Sequence, residues 1–341
     1  MKIGIRADGG SIVGMGHIVR CLSLAKAFAN RGHQIIFISQ DPTGIGIINK
    51  SGFEIQVIRS CGKNEEISKI KSIISAKMLD CLIIDSYQVD RQYFLNLKQV
   101  VPLLGYIDDL NRFIYSIDFL INGNIAAEEL GYTGYSEREM LLLGIRYNLI
   151  REEFGDLPAA KVRPVIARVL VTTGGTDLVN LSTKIINAIR LDATMNHIVL
   201  DVVVGGGNQF KDEITNLSKK YPNVCLHHNV DKISVLMRRA DLAISAGGST
   251  LYELCACGLP TLAVIIADNQ QFIVEELAKS GYIKNLGWHG QLDFRLLREE
   301  INGFRYEERL SAAMKMQGLV DGNGAKRVVE AVERYFIIKE G

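Results

Sequence analysis

The stretch KIGIRADGGSIVGMGH, at residues 2–17, decides the fold class of the first half of the chain. Residues 2–7 form an apolar run typical of a buried strand, and the glycines after it allow the backbone to turn tightly. A helical pattern then runs from His17 to Asn30, and Gly32 supplies a stop signal. A strand that passes through a glycine-rich loop into a helix is the opening unit of a doubly wound α/β domain.

The same alternation of short apolar runs and helical patterns continues along the rest of the chain. The strands predicted from it cover residues 2–7, 35–39, 82–85, 103–107 and 119–122 in the first half, and 169–173, 198–204, 224–227, 242–245 and 262–266 in the second. Such alternation favours parallel sheets covered by helices.

The length of 341 residues is sufficient for two domains. We predict one Rossmann-like domain over residues 1–155 and a second over 164–325, with a linker at 151–163 that contains glycine and proline. A helix at 326–341 is expected to pack back on the first domain. The two domains are expected to face a central cleft, because open α/β sheets bind ligands beyond the carboxyl ends of their strands.

Composition limits the partners and the compartment. Lys and Arg total 39 against 38 Asp and Glu, so no global basic field exists to collect nucleic acid. The longest apolar run, residues 262–267, is too short to span a bilayer, and no secretory signal is visible. The six cysteines mostly lie in apolar runs, as reduced core residues do. We therefore predict a cytoplasmic protein without stable membrane association, either a monomer or a weak homodimer.

The first strand-to-helix loop places His17 at the start of its helix, where free backbone N–H groups also attract anions. Histidine has an ordinary pKa near neutrality, which suits a general base, and a residue at this position is expected to face the cleft. The alternative is a helix-start histidine that only hydrogen-bonds the loop. The glycine spacing matches neither a complete dinucleotide fingerprint nor a Walker loop.

Two further loops of this kind occur in the second half. The first, at residues 171–177, is shaped to meet a diphosphate, unless Asp177 only caps a helix. The second, at 245–253, has Ser249 or Thr250 as a helix cap and Glu253 one turn later, where a carboxylate can accept hydrogen bonds from ribose hydroxyls. A capping box between Thr250 and Glu253 would explain the same residues without a ligand.

Other candidates follow strands elsewhere. Asp85 and Tyr87 follow a strand and could line a sugar pocket. The amides of residues 269–270 could bond sugar hydroxyls or phosphate, and the alternative is a turn with a helix cap. The pair at 108–109 is interpreted as a solvated turn rather than a metal site, and the pair at 227–228 as a strand end. We predict neither a metal nor a cofactor.

Several short motifs occur together in a fixed order across residues 3–285. They are Arg6-Ala7-Asp8 with Gly14-x-Gly16-His17-x-x-Arg20, then Asp85-Ser86-Tyr87, then Leu143-Gly144-x-x-Tyr147, then Gly174-Gly175-Thr176-Asp177, then Ser249-Thr250-x-x-Glu253 and Asp268-Asn269-Gln270. This set resembles the pseudaminic-acid pathway UDP-sugar hydrolases (PseG) and their spore-coat polysaccharide relatives. The second half is more distantly similar to the peptidoglycan glycosyltransferase that adds N-acetylglucosamine to lipid I.

The resemblance implies a GT-B fold and hydrolysis of UDP-2,4-diacetamido-2,4,6-trideoxy-β-L-altropyranose, with a UDP-sugar as substrate and UDP as product. It implies that His17 activates water, that Asn269 lies near the reacting sugar, and that Glu253 holds the ribose. The residues expected to bind substrate are Arg6, Asp8, Gly14, Gly16, Arg20, Asp85, Tyr87, Tyr147, Gly174, Gly175, Asn229, Val230, Gly248, Ser249, Thr250, Glu253 and Gln270, with Asn229 and Val230 at the uracil. Ile145, where such proteins often have proline, and Gly9-Gly10 are departures that leave the sugar open.

The mechanism predicted is a single displacement that inverts the anomeric carbon without a metal ion. Fold alone does not separate this reaction from glycosyl transfer by a GT-B enzyme that uses a UDP-sugar donor. The sequence is also compatible with a UDP-sugar-binding protein of spore-coat polysaccharide synthesis and with a UDP-sugar 2-epimerase.

Overall fold

The computed structural model describes residues 1–10, 14–59, 62–228 and 230–340, and it divides into two compact units. The first unit comprises residues 1–152 together with 322–341, and the second comprises 153–321. Residues 153–163, predicted as linker, are counted with the second unit, where the Ala160 amide donates to the Gln317 side chain at 2.8 Å.

The first unit contains a seven-stranded sheet in the order β3-β2-β1-β4-β5-β6-β7, and all neighbouring pairs are parallel. Its strands are β1 Lys2–Ala7, β2 Gln34–Ser39, β3 Glu54–Val57, β4 Cys81–Asp85, β5 Leu103–Ile107, β6 Phe119–Asn122 and β7 Met140–Leu143. The strand order reverses between β1 and β4, so this pair forms the topological switch point where α/β sheets bind ligands.

The second unit contains a six-stranded parallel sheet in the order β10-β9-β8-β11-β12-β13. Its strands are β8 Arg168–Thr172, β9 Val199–Val204, β10 Val224–His228, β11 Leu242–Ala246, β12 Thr261–Ile265 and β13 Lys284–Trp288. Here the switch point lies between β8 and β11. The strands predicted from the sequence did not include β3, β7 and β13, which are short edge strands and only partly buried.

Twelve helices cover the two sheets in the part of the chain that the structure describes. They are α1 Gly16–Asn30, α2 Pro42–Lys50, α3 Lys63–Lys77, α4 Arg91–Lys98, α5 Leu181–Arg190, α6 Lys211–Lys220, α7 Ile233–Arg239, α8 Thr250–Cys257, α9 Asp268–Lys279, α10 Phe294–Gly303, α11 Tyr306–Leu319 and α12 Gly324–Glu340. Over the described ranges, none of these helices combines the length and apolarity needed to cross a membrane.

Helix α12 belongs to the core of the first unit although it follows the second unit in the chain. Its apolar face buries Val328, Val329 and Val332 in the same cluster as Ile18 and Phe28 of α1. Burial of a valine side chain contributes about 1.5–3 kcal/mol. The first unit therefore needs residues from both ends of the chain to complete its core.

Candidate functional site

His17 is the second residue of α1, and Asp85 ends the neighbouring strand β4. Because β1 and β4 are adjacent, the two side chains meet at the switch point of the first sheet, where His17 Nδ1 lies 2.5 Å from Asp85 Oδ1. Both residues are almost enclosed, at 7% and 1% exposure. His17 is more buried than the sequence predicted, because Asp85 and the ring of Tyr87 contact it.

Arg20 lies one helical turn after His17, on the same face of α1. Its Nε and Nη2 atoms donate to the two oxygens of Asp85 at 2.7 and 2.6 Å. Its Nη1 atom donates to both oxygens of Asp109, which follows β5, at 2.9 Å. The guanidinium therefore joins two carboxylates that come from neighbouring strands.

Tyr87 completes this group of side chains. Its ring packs edge-on against the His17 ring, with 4.7 Å between the centroids, and its hydroxyl donates to Asp109 Oδ2 at 2.6 Å. Asn124 Nδ2 also donates to Asp109, at 3.0 Å. We call His17, Arg20, Asp85, Tyr87 and Asp109 the imidazole cluster.

The charged and hydrogen-bonding neighbours of the two carboxylates in the imidazole cluster favour their ionised form. Burial alone would raise the pKa of Asp85, but the charges of Arg20 and His17 and their hydrogen bonds lower it well below its ordinary value. For Asp109, burial also opposes ionisation, while Arg20 and the Tyr87 hydroxyl lower the pKa. Burial beside Asp109 raises the pKa of Tyr87, which therefore remains a hydrogen-bond donor.

An ionised carboxylate only accepts hydrogen bonds, so the proton between His17 and Asp85 belongs to His17 Nδ1. Arg20 Nη2 also lies 3.3 Å from that nitrogen, but the contact with Asp85 is shorter and pairs a donor with a charged acceptor. The other ring nitrogen, Nε2, has no hydrogen-bond partner among the described residues. A neutral imidazole held in this tautomer can take up a proton at Nε2.

Arg6 and Asp8, predicted as substrate ligands, have internal partners in the structure. Arg6 pairs with Asp8 at 2.6 Å and with Glu66 at 2.8 Å, and its side chain is 2% exposed. Asp8 also accepts hydrogen bonds from the amide of Gln40 and the hydroxyl of Ser39, which hold the end of β2 in place. These contacts give both residues a structural role, while their direct binding of substrate stays a prediction.

Gly14 and Gly16 flank the entry into α1. Gly14 pairs with Gly10 through two backbone hydrogen bonds of 3.1 and 2.9 Å, and Gly16 is the first residue of the helix. Tyr147 lies in a short turn after β7, where its ring packs against the core of the first unit and below Arg146.

In the second unit, Gly174 and Gly175 follow β8 at the switch point. Gly174 has a φ of +85°, a conformation that glycine adopts without strain. Asp177 accepts hydrogen bonds from the amides of Leu181 and Ser182 at 2.8 and 3.0 Å, so it caps α5, as one of the two sequence interpretations held. A Cβ atom on Gly205, after β9, would lie 2.3 Å from the Gly175 oxygen, so the two loops are in close backbone contact.

The loop after β11 leads into α8. Gly248 and Ser249 precede Thr250, which is the first helical residue, and the Ser249 side chain is exposed and makes no capping hydrogen bond. The structure thus places Ser249 rather than Thr250 at the N-cap, which does not fit the spacing of a capping box between Thr250 and Glu253. Glu253 is buried one turn into the helix.

Asn269 and Gln270 lie in the first turn of α9, with Asn269 exposed. The side-chain Oε1 of Gln270 accepts hydrogen bonds from the backbone amides of Gly247 and Ile266, at 3.0 and 3.1 Å. Gln270 therefore ties the ends of β11 and β12 together, a role that the sequence pattern did not reveal. Its Nε2 donor lies on the side of Gly248.

Other candidates have structural roles or lie outside the described residues. Asn229 is outside them, and Val230 follows it after β10. The expectation of a solvated turn at Asp108 and Asp109 is wrong, because Asp108 is 1% exposed and accepts from the hydroxyls of Tyr115 and Tyr132. His227 pairs with buried Asp201. Within the described ranges, no group of His, Cys, Asp and Glu residues could hold a metal ion.

Comparison with known proteins shows which proteins this chain is similar to. Residues 168–321 match the model of the glycosyltransferase family 28 C-terminal domain. The UDP-2,4-diacetamido-2,4,6-trideoxy-β-L-altropyranose hydrolase of Campylobacter jejuni is 27% identical over 285 residues, which cover 83% of this chain and 98% of that protein. The spore coat polysaccharide biosynthesis protein SpsG of Bacillus subtilis is 25% identical, with 98% of both chains covered.

An uncharacterised protein of Methanocaldococcus jannaschii is 27% identical over 82% of this chain, which spans 58% of that relative's length. Among solved structures, MurG of Acinetobacter baumannii has a TM-score of 0.69 at 15% identity, over 98% of this chain and 100% of its own. MnaA of S. aureus, in a structure with UDP, has a TM-score of 0.64 at 14% identity, over 98% and 97%. The chain therefore has the GT-B fold, and its predicted resemblance to the hydrolase and spore-coat proteins is confirmed.

Proposed function

We propose that this protein hydrolyses a UDP-activated amino sugar at the anomeric carbon and releases UDP and the free sugar. The observation that carries the proposal is the His17 imidazole, whose Nδ1 donates to buried Asp85 while Nε2 has no partner among the described residues. The name of the Campylobacter jejuni relative makes UDP-2,4-diacetamido-2,4,6-trideoxy-β-L-altropyranose the first substrate to test. The reaction would serve nonulosonic (pseudaminic) acid or surface polysaccharide synthesis.

In this proposal, His17 Nε2 takes a proton from water as the water oxygen bonds to the anomeric carbon. The bond between that carbon and the diphosphate oxygen breaks, and UDP leaves with the electron pair. A single displacement inverts the configuration of the carbon. Asp85 stabilises the imidazolium that forms and keeps the ring in its tautomer, and the proton then passes to solvent.

The second unit is assigned to UDP. The uncapped start of α8 and the loop at Gly174 and Gly175 offer backbone N–H groups, and helix N-termini bind phosphate through such groups and their partial positive charge. Glu253 is assigned to the ribose hydroxyls, and the segment at Val230 to uracil. Asn269 and the Nε2 donor of Gln270 are assigned to the sugar and the diphosphate. This scheme needs no metal ion, because backbone dipoles balance the charge of the leaving group.

Glycosyl transfer is the second candidate, and the match of residues 168–321 to a glycosyltransferase domain favours it. A transferase delivers the sugar to an acceptor, whereas a hydrolase delivers it to water. The two functions share the UDP site and differ in what occupies the space next to His17 Nε2.

The test is a panel of UDP-sugars incubated with the protein in buffer, with UDP release and the anomeric configuration of the sugar followed by NMR. We expect UDP and the inverted free sugar from a 2,4-diacetamido sugar donor without any acceptor. UDP release only after an acceptor is added would identify a transferase, and a 2-epimer as product would identify an epimerase.

The matched variant is His17→Ala. We expect turnover to fall by roughly 10²-fold or more, because general base catalysis contributes on that order. The affinity for UDP, measured by calorimetry, is expected to be unchanged, because the nucleotide is assigned to the second unit. Full turnover in this variant would disprove the assignment of the base.

A further inference from the structure

The imidazole cluster contains more negative than positive charge. Asp85 and Asp109 contribute two negative charges and Arg20 one positive charge, so with a neutral His17 the sum is −1. A proton on His17 brings the sum to 0. The carboxylate that contacts His17 is Asp85, and its charge is already matched by Arg20, so the surplus charge comes from Asp109.

We propose that Asp109 is a positioning residue for His17, and that its charge, acting through Arg20 and Tyr87, stabilises the imidazolium formed when His17 accepts a proton. This inference rests on the proposed function, in which His17 accepts a proton. Among the described residues, no hydrogen bond joins Asp109 to His17 itself. Direct contact with the imidazole remains the role of Asp85.

The geometry gives Asp109 two routes to the imidazole. The first is Arg20, whose Nη1 atom holds Asp109 while its Nη2 atom lies 3.3 Å from His17 Nδ1. The second is Tyr87, whose hydroxyl is committed to Asp109 at 2.6 Å while its ring edge contacts the imidazole. Removal of Asp109 would therefore release one edge of the guanidinium and the phenol together.

The charged groups near the imidazole are few, and other elements use theirs elsewhere. Helix α1 presents Arg20 and the Cys21 thiol, β4 presents Asp85, and the loops after β4 and β5 present Tyr87 and Asp109. On α2, the N-cap Asp41 accepts from its own first turn. The ion pairs of β1 and α12 include Arg6 with Asp8 and Glu66, Glu333 with Arg31 and His33, and Lys339 with Asp118.

Asp109 is also held too firmly to act as a solvated carboxylate. Its side chain is 15% exposed, and its oxygens accept hydrogen bonds from Arg20, Tyr87 and Asn124. A charge in such surroundings is screened less by water than a surface charge, so its effect reaches a neighbouring titratable group.

The experiment compares Asp109→Asn, which removes the charge at constant size, with Asp109→Glu, which retains it. In Asp109→Asn we expect the imidazolium to be less stable, so that the acidic limb of the kcat–pH profile moves down by about one pH unit. Plateau turnover is expected to fall about three- to tenfold, with KM changed less than about twofold, because a weaker base accepts the proton less readily. Asp109→Glu should keep the limb near its original position.

A second measurement needs no substrate. The NMR signal of the His17 ring is titrated in the free protein, and its midpoint is expected to move down in Asp109→Asn but not in Asp109→Glu. If Asp109→Asn does not fold, Asp109→Ser, which leaves room for water beside Arg20, is used with the same expectation. An unmoved midpoint in folded, charge-free variants, or equal loss of turnover at every pH, would overturn the inference.

The outcomes separate this inference from the proposed function. If the wild-type protein releases no UDP from any UDP-sugar, or if His17→Ala is fully active, the proposed function is wrong whatever the ring titration shows. If both of those tests support hydrolysis and the titration midpoint does not move, only the role of Asp109 is wrong.

Discussion

The carboxyl edges of the two sheets present opposite kinds of surface. In the first unit, charged side chains are withdrawn from water and bonded to one another, as Asp85 is to His17 and Arg20. In the second unit, the same edge presents backbone groups, with glycines after β8 and β11 and a helix start at Ser249 without a side-chain cap, and the side chains of Asp177 and Gln270 bond to the backbone there. One edge is suited to moving a proton, and the other to holding an anion.

The difference predicts how each edge responds to mutation. The stability of a buried ion cluster depends on the charge of each member, because removal of one charge leaves its partner without compensation in a low-dielectric environment. Anion binding by backbone N–H groups depends on the size of the neighbouring side chains, because these groups bind only when nothing covers them. Changes in charge should therefore affect the first edge most, and added methyl groups should affect the second.

The largest effect is expected for Asp85→Asn, which keeps the shape of the side chain and removes its charge. The imidazolium loses its counter-charge and the ring loses the acceptor that fixes its tautomer, so kcat should fall roughly 10²-fold, as in His17→Ala. The measurement is kcat on the substrate identified by the panel, with UDP affinity as the control. Turnover within about threefold of wild type would show that the activity does not depend on the charge of Asp85.

Stability in acid provides a second measure of the role of Asp85. Its pKa is depressed in the folded protein, so its contribution to the free energy of unfolding is fully present above the ordinary carboxyl value of about 3.9 and is lost as the pH falls through the folded value. The stability difference between wild type and Asp85→Asn should therefore shrink as the pH falls below about 4.

A smaller effect is expected for Gly205→Ala, which adds volume without charge. The new Cβ would lie 2.3 Å from the Gly175 oxygen, so the loop after β8 must shift. We expect a loss of about 1–3 kcal/mol in unfolding free energy and about tenfold weaker UDP binding, measured by urea denaturation and calorimetry. Gly290→Ala is the control, since no atom of the described residues that are not its neighbours in the chain lies within 4 Å of the added Cβ, and both measurements should remain at wild-type values.

The smallest effect is expected for Glu333→Gln, which removes a partly exposed charge whose partner Arg31 is exposed. Glu333 accepts from Arg31 and His33, each at 2.8 Å, and the hydrogen bond from Arg31 lowers its pKa. Exposed pairs contribute little to stability, so urea unfolding at pH 7 should change only slightly and turnover should not change. The difference in unfolding free energy between wild type and Glu333→Gln should vanish as the pH falls below about 4, where the Glu333 carboxyl is protonated. A loss comparable to that in Asp85→Asn would contradict the comparison.

Much of the fold was predictable because apolar periodicity reports burial directly. Strands such as β1, β4 and β11 are buried along most or all of their length and were identified from sequence. The edge strand β3 was missed, because a strand with one neighbour keeps polar residues and lacks a buried run. Local pattern does not determine which strands become neighbours.

The candidate site was predictable only in part for the same reason. His17 could be singled out because it follows a glycine loop, but the burial of Asp109 depends on Arg20, which is 89 residues away. A signal was present in the sequence: His17 and Arg20 share one face of a helix, an acidic residue ends β4, and two acidic residues follow β5. The adjacency of β1, β4 and β5, which brings these residues together, had to come from the structure.

The position of helix α12 in the sequence affects the order in which the chain can fold during synthesis. The cluster of Val328, Val329 and Val332 closes over α1, yet a ribosome makes these residues only after it has made all of residues 153–321. Domains usually complete their folding in the order of synthesis. Here the hydrophobic core of the first unit stays incomplete until the second unit and α12 have been synthesised. Chaperones should therefore bind mainly to the amino-terminal portion of the nascent chain.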